Sequence, residues 1–309
     1  MLPHVRSRGK SGLEVLFTGE GTPTEAGLHG TGNTFAPKVL VEGGRWRMWY
    51  GAQGADGHDR IHYAESDDGA DWTRHGVVLE HPESNLINDP WVMRHGDGYR
   101  MYYTVAEEWI VDTIHLAESP DGITWERRGE VLGPGAAGEF DSLLVGRPCV
   151  IHDGQMFHMW YDGRRDFPPA LSENGRWPTA WPSQRSVGHA TSTDGINWER
   201  TGQVLPEEAG SVHISRLAAD RWVKLIESRQ GTLASVSEDG VRWGPRELLL
   251  PLTGGPWDRW GHITPFLHRS AAGRPEAVYA GLARRSSWTE QAMGRFMLDE
   301  TAVAKLMGG

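Results

Sequence analysis

Three kinds of side chain in this 309-residue chain could do chemistry. The first are carboxylates at the edges of strand-like segments. Asp89 stands in Asn88-Asp89-Pro90, Glu107 follows Thr104-Val105-Ala106, and Asp141 sits in Glu139-Phe140-Asp141. Two such acids held across a bond can give and take a proton, or one can attack while the other protonates. The second are imidazoles. His213 and His262 each stand two residues before a hydroxyl, Ser215 and Thr264, and His29 lies in a Gly-rich stretch. Two or three such rings with a carboxylate make an acid–base pair or a transition-metal set, so a metal at His213 and His262 is an open expectation. The third are Arg147 and Arg164, with Asp162 between them in sequence. Guanidinium favours bidentate contact with carboxylate or phosphate, which points to an anionic group on a ligand. Asn33, Glu227 and Trp260 complete the candidate ligand-binding set with His29, Arg147, Asp162 and Arg164.

These residues are positioned by a repeat. AESPDGITWERRGEVL (117–132) is similar to AESDDGADWTRHGVVL (64–79), to ATSTDGINWERTGQVL (190–205) and, more distantly, to SVSEDGVRWGPRELLL (235–250). Repeats at this period mark solenoids, propellers or arrays. Each copy is preceded by alternating strands, such as WRMWYGA and RIHYAES, and holds an Asp-Gly pair suited to a tight hairpin. A further strand opens each unit, usually with a proline: FAPKVLV (35–41), NDPWVMR (88–94), GRPCVIH (146–152) and HITPFLH (262–268), with HISRLAA (213–219) lacking it. The expected fold is therefore all-β, a single five-bladed propeller over residues 1–309 with four-stranded blades. The last unit lacks a fourth strand, and SGLEVLF (11–17) resembles the closing strands. Leu13 to Phe17 is expected to pair beside Met293 to Leu298 and complete the last blade, which also covers an edge. In this arrangement Ser-x-Asp-Gly-x-x-Trp is a hairpin staple, with Ser66, Ser119, Ser192 and Ser237 bonding within the turn.

Composition narrows the function classes. Lys and Arg number 31 against 41 Asp and Glu, a net charge of −10, with no basic block; nucleic acid and anionic membranes are not expected partners. No apolar run approaches a bilayer span, and no apolar segment follows the basic N-terminus as a secretory signal would require. Cys149 is the only cysteine. A chain with no possible internal disulfide is compatible with a reducing compartment, so a cytoplasmic location is expected. The Asp-Gly hairpins occupy one propeller face, so function is expected at the other, where the first strands begin. The Pro- and Trp-rich stretch 164–185 would flank that face, with Trp177 and Trp181 able to stack on a ring.

At this point the chain resembles the five-bladed propeller glycosidases, the arabinanase, xylosidase and invertase group that includes glycoside hydrolase families 43, 32 and 68. The likeness covers nearly the whole chain as blade pattern. Its specific anchor is INDPWVMRHGDGYRMYY (87–103). The resemblance implies three axial acids: a base or nucleophile, one that tunes pKa and orients the sugar, and a general acid. Asp89 matches the second. Ala36, in Phe35-Ala36-Pro37, stands in place of the first. The third motif, Glu before Gly-Pro, reads Gly146-Arg147-Pro148, so Gly146 stands in place of its acid. Three expectations follow. One is a glycosidase-like enzyme acting on a sugar or sugar-derived, even anionic, small molecule through Asp89 and a relocated acid, Glu107 or Asp141. Another is a lyase, cyclase or isomerase built on His213, His262 and Asp89. The last is a carbohydrate-binding propeller without chemistry.

Overall fold

A computed structural model describes residues 12–18, 33–107 apart from 55, 57, 82 and 85, then 111–165, 185–205, 211–286 and 289–308. His29, Trp177 and Trp181 lie outside the described residues, and so does the side chain of Glu107.

The chain is almost all strand. After β1 (Leu13–Thr18) come β2 (Thr34–Glu42), β3 (Arg45–Gln53), β4 (Asp59–Ser66) and β5 (Trp72–Leu79), paired as an antiparallel meander. The next meander is β6 (Leu86–His95), β7 (Gly98–Glu107), β8 (Val111–Ser119) and β9 (Glu126–Leu132). It is followed by β10 (Leu144–His152), β11 (Phe157–Arg164), β12 (Arg185–Ser192) and β13 (Glu199–Leu205). Then come β14 (Val212–Ala218), β15 (Arg221–Ser228), β16 (Gly231–Ser237) and β17 (Glu247–Pro251). β18 (His262–Arg269), β19 (Pro275–Ser286) and β20 (Thr289–Met297) close the series before helix α1 (Glu300–Met307). The strands gather into two compact units, Met1–Glu80 with His213–Gly309, and His81–Val212.

In the first unit β1 lies antiparallel to β20, Leu13 opposite Phe296 and Phe17 opposite Met293, as the sequence leads one to expect. Leu13 is buried in a core with Leu282, Phe296 and Leu306, so the strand is fixed by apolar burial as well as by its ladder.

The repeated motif is a hydrogen-bonded staple in every copy. Ser66 Oγ accepts from the N–H groups of Asp68 and Gly69, at 3.2 and 2.9 Å. Asp68 Oδ1 accepts from those of Ala70 and Asp71, and the Trp72 indole donates to the Gly69 carbonyl. Glycine is required because residue 69 has φ 71°. A tyrosine from another meander of the same unit then receives the staple. Tyr279 Oη donates to the Gly69 carbonyl at 2.9 Å, and Trp72 meets Tyr279 edge-on at 6.2 Å. The second unit repeats the joint, with Tyr102 donating to Gly195 at 2.8 Å beside Trp198. The Asp-Gly segments are therefore mechanical: each locks its own turn, and those at Gly69 and Gly195 also offer a carbonyl to a tyrosine of another meander.

Because Leu13 is a core residue, Leu13→Ala is expected to destabilise the protein by about 2–4 kcal/mol in chemical denaturation. An unchanged midpoint would show that β1 is dispensable to the last meander.

Candidate active site

The site begins with a backbone defect. In β2, β6, β10 and β18 the register slips by one residue at the proline, so two residues face one on the next strand. The first residue of each bulge has positive φ: Ala36 51°, Asp89 51°, Arg147 52° and Thr264 46°. Proline suits such a bulge because its missing N–H is not needed by a ladder. A residue with a Cβ held there costs about 1–3 kcal/mol, and such strain concentrates at functional sites. The bulge also re-aims the side chain away from the regular pleat.

Side chains of neighbouring strands bind the strained peptides. In the second unit the Arg147 N–H donates to Thr104 Oγ1 at 2.8 Å. In the first unit the Thr264 N–H donates to Glu227 Oε2 at 3.3 Å, and the Ala36 N–H donates to Thr264 Oγ1 at 2.7 Å. Glu227 thus serves the backbone of β18.

The second unit brings Asp89, Arg147, Asp162 and Arg164 together. Arg147 Nη1 donates to Asp162 Oδ2 at 2.9 Å, and Arg147 Nε lies 3.9 Å from Asp89 Oδ2. Arg164 Nε approaches the same Asp162 oxygen at 4.0 Å. The Asp162 side chain is 1 % exposed, and the Arg147 and Arg164 side chains are 15 % and 11 % exposed. Burial pushes the Asp162 carboxyl up, against the opposing pull of Arg147 and Arg164.

A fifth member escaped the sequence reading. Asp112, the second residue of β8, is pushed up to about 7, first by burial and then by the charges of Asp89 and Asp162, while Arg147 and Arg164 pull it down. A carboxyl in such surroundings holds its proton near neutrality. The signal was present in the repeat. Aligning IHYAES (61–66) with IHLAES (114–119) places Asp59 and Asp112 at the same position, and an acid inside a strand is disfavoured without a task. Gly146 is explained by the same neighbourhood. A Cβ there would meet Thr104 Cγ2 at 3.1 Å and Asp112 Cβ at 3.7 Å, so β10 lies close over these side chains. Arg147 is the register counterpart of Asp89, and it stands where the resembled motif carries the glycine that positive φ favours.

Other predicted residues have different partners. Asp141 is fully buried, accepting from Tyr161 Oη at 2.9 Å and Arg200 Nε at 2.8 Å; this ion pair fixes the segment before β10 and stands apart from the five-residue cluster. Asn33 Oδ1 accepts from the Gln291 N–H, and its carbonyl accepts from Gln53, which ties β2 to β20 and β3. The two imidazoles do not share partners. His213 pairs with Ser215 Oγ at 2.6 Å and packs edge-on against Phe266. Burial, with help from Lys38 and Arg269, lowers it well below the usual histidine range. His262 is bound by Asp258 Oδ2 at 3.2 Å and Thr232 Oγ1 at 3.0 Å. Among the described residues no group of three or more His, Cys, Asp or Glu is placed to hold a metal ion.

No known family profile matches the chain. It is 32% identical over 152 residues to uncharacterized protein Rv1502 of Mycobacterium tuberculosis, covering 45% of this chain and 50% of that protein. The chain thus spans about half the length of the curated relative it matches. Solved structures are similar over much more of it. One is a glycoside hydrolase, with a TM-score of 0.68, 18% identity, and coverage of 92% of this chain and 91% of that one. Another is Zg3597, a family 117 glycoside hydrolase of the marine bacterium Zobellia galactanivorans, with a TM-score of 0.63, 16% identity, and coverage of 91% and 90%. At these identities the likeness is one of fold: a nearly all-β chain with neighbours among propeller-fold glycosidases.

Arg147→Gly and Arg147→Ala both remove the guanidinium from buried Asp162, but only glycine relieves the left-handed backbone. The glycine variant is expected to be the more stable of the two by about 1 kcal/mol, read from denaturant midpoints. Equal midpoints would mean that φ 52° costs nothing here.

Proposed function

We propose that this chain is a glycosidase-like enzyme, a single five-bladed propeller acting on a carbohydrate, with Asp112 as general acid and Asp89 as its carboxylate partner. The observation that carries the reading is the contrast between two carboxyls in one cluster. Burial pushes the carboxyl of half-buried Asp112 up to about 7, whereas Asp89 has the Arg147 guanidinium 3.9 Å away. Acids whose surroundings differ in this way divide the acid and base tasks between them. Asp112 would give its proton to the glycosidic oxygen as the carbon–oxygen bond breaks. Water would add its oxygen to the sugar carbon while Asp89 takes the water proton. Arg147 and Arg164 would hold the charge of Asp162, and Arg147 would favour the ionised form of Asp89 until it takes that proton. A mechanism resting on His213 and His262 has no comparable support, since each ring has its own partners.

Asp89→Asn and Asp112→Asn are each expected to lower turnover of a panel of 4-nitrophenyl glycosides by about a hundredfold or more. Wild-type turnover in either variant would remove that residue from the mechanism. Activity is also expected to fall as pH rises through about 7, where Asp112 loses its proton.

The same titration predicts a stability profile of definite sign. The Asp112 carboxyl has a folded value near 7 against about 4 when unfolded, so the folded state holds the extra proton between them. Its contribution is full below about pH 4 and is lost as pH rises towards 7. The wild-type melting temperature should therefore decline across that window relative to Asp112→Asn. Parallel curves would show that Asp112 is solvated.

A further inference from the structure

Trp260 is the exposed member of the described tryptophans, 47 % accessible, whereas the others are buried or half-buried. A large apolar ring left in water would ordinarily be free to fold down on the surface. Here the backbone that carries it is pinned on both sides. The segment before β18 is built around Asp258, which is wholly buried. Asp258 accepts from the Thr253 N–H at 2.8 Å, from Thr253 Oγ1 at 2.7 Å and from His262 Nε2 at 3.2 Å. Burial opposes the charge on Asp258, but the hydrogen bonds from His262 and Thr253 prevail and hold the carboxyl below its usual range. On the other side the Trp260 N–H donates to the Ala283 carbonyl at 3.0 Å, and the Ala283 N–H donates to the Gly261 carbonyl at 3.0 Å. Gly261 has φ 131°, and a Cβ there would lie 2.5 Å from the Ser228 carbonyl oxygen. The backbone on both sides of Trp260 is therefore fixed, and one residue of the loop spends a buried charge on fixing it.

We propose that Trp260 is a preformed stacking platform for a sugar ring, placed on a rigid loop that leads directly into the strained start of β18. A pyranose or furanose presents an apolar face of C–H groups, and an indole on a pinned backbone gives it a large, flat surface with little backbone ordering cost. The inference rests on the carbohydrate reading of the fold, but not on the chemistry assigned to Asp89 and Asp112. It also gives His262 a role: the ring braces Asp258 from within, packed on Phe296 at 4.6 Å.

The test is native affinity electrophoresis of the full chain through gels containing arabinan, arabinoxylan, galactomannan or rhamnogalacturonan. Wild type is expected to be retarded by at least one of them. Trp260→Ala should weaken that retardation about tenfold or more in apparent dissociation constant, and Trp260→Phe should restore much of it. A control at an exposed apolar residue elsewhere, Val204→Ala, should be retarded like wild type. Equal retardation of wild type and Trp260→Ala overturns the platform and leaves the hydrolase reading untouched. No retardation of wild type by any of the four polymers also overturns it. Sedimentation supplies a further outcome. A wild-type dimer that Trp260→Ala abolishes would assign the exposed ring to self-association and overturn the inference.

Discussion

The candidate chemistry of this protein hangs on a two-against-one bulge that begins one residue before a proline. Without it, residues 89 and 147 would follow the pleat, and their side chains would alternate with the rest of the strand. With it, each strand start is turned out of register at a cost in backbone strain. The neighbouring strand then accepts the exposed N–H. Thr104 does so for Arg147, and Glu227 for Thr264. Where the neighbouring position is glycine, as at Gly281, there is no side chain to help, and Thr264 takes over the duty for Ala36. A Cβ at Gly281 would lie 2.7 Å from Ile263, so close packing of the first strand excludes a polar group there. The strain and the hydrogen bond that tolerates it are thus a single device, repeated with local substitutions.

That device explains which parts of the protein could be read from sequence. The Ser-x-Asp-Gly-x-x-Trp staple is local: its hydrogen bonds span two or three residues, so its spacing is fixed in every copy and the repeat is plain. The pairing of Leu13 with Phe296 is not local, yet it followed from counting strands and finding the last meander one short. Asp89 was legible because the proline marks the bulge. Asp112 was not, because attention to loops and first strands passes over the second residue of a third strand. What makes Asp112 special is desolvation and charges contributed by β6, β10 and β11. No spacing rule in one chain reports such a sum.

Other candidates are held by partners that their sequence neighbourhood does not announce. Asp141 lies in a loop before β10, and the sequence offers it as a relocated acid. Its partners, Tyr161 and Arg200, stand 20 and 59 residues away. His213 and His262 occupy matching places in two repeats, which suggests a shared target. Each is instead paired with a hydroxyl of its own, Ser215 at His213 Nε2 and Thr232 at His262 Nδ1, supplied by its own sheet.

Gly146 and Arg147 show how a site of this architecture can be rewritten without changing the backbone. The resembled motif has an acid followed by glycine before the proline. Here the glycine falls one place earlier, and arginine takes the left-handed position. Removing the acid leaves β10 close over Thr104 and Asp112. Filling the bulge with arginine adds a permanent positive charge beside Asp89 and Asp162. The lost carboxyl and the gained guanidinium are therefore linked, because the cation pulls against the burial that pushes Asp162 and Asp112 up, and Asp112 ends the higher of the two. The acid–base contrast that the resembled group builds from strand starts would here come from one strand start and one third strand, joined through an arginine.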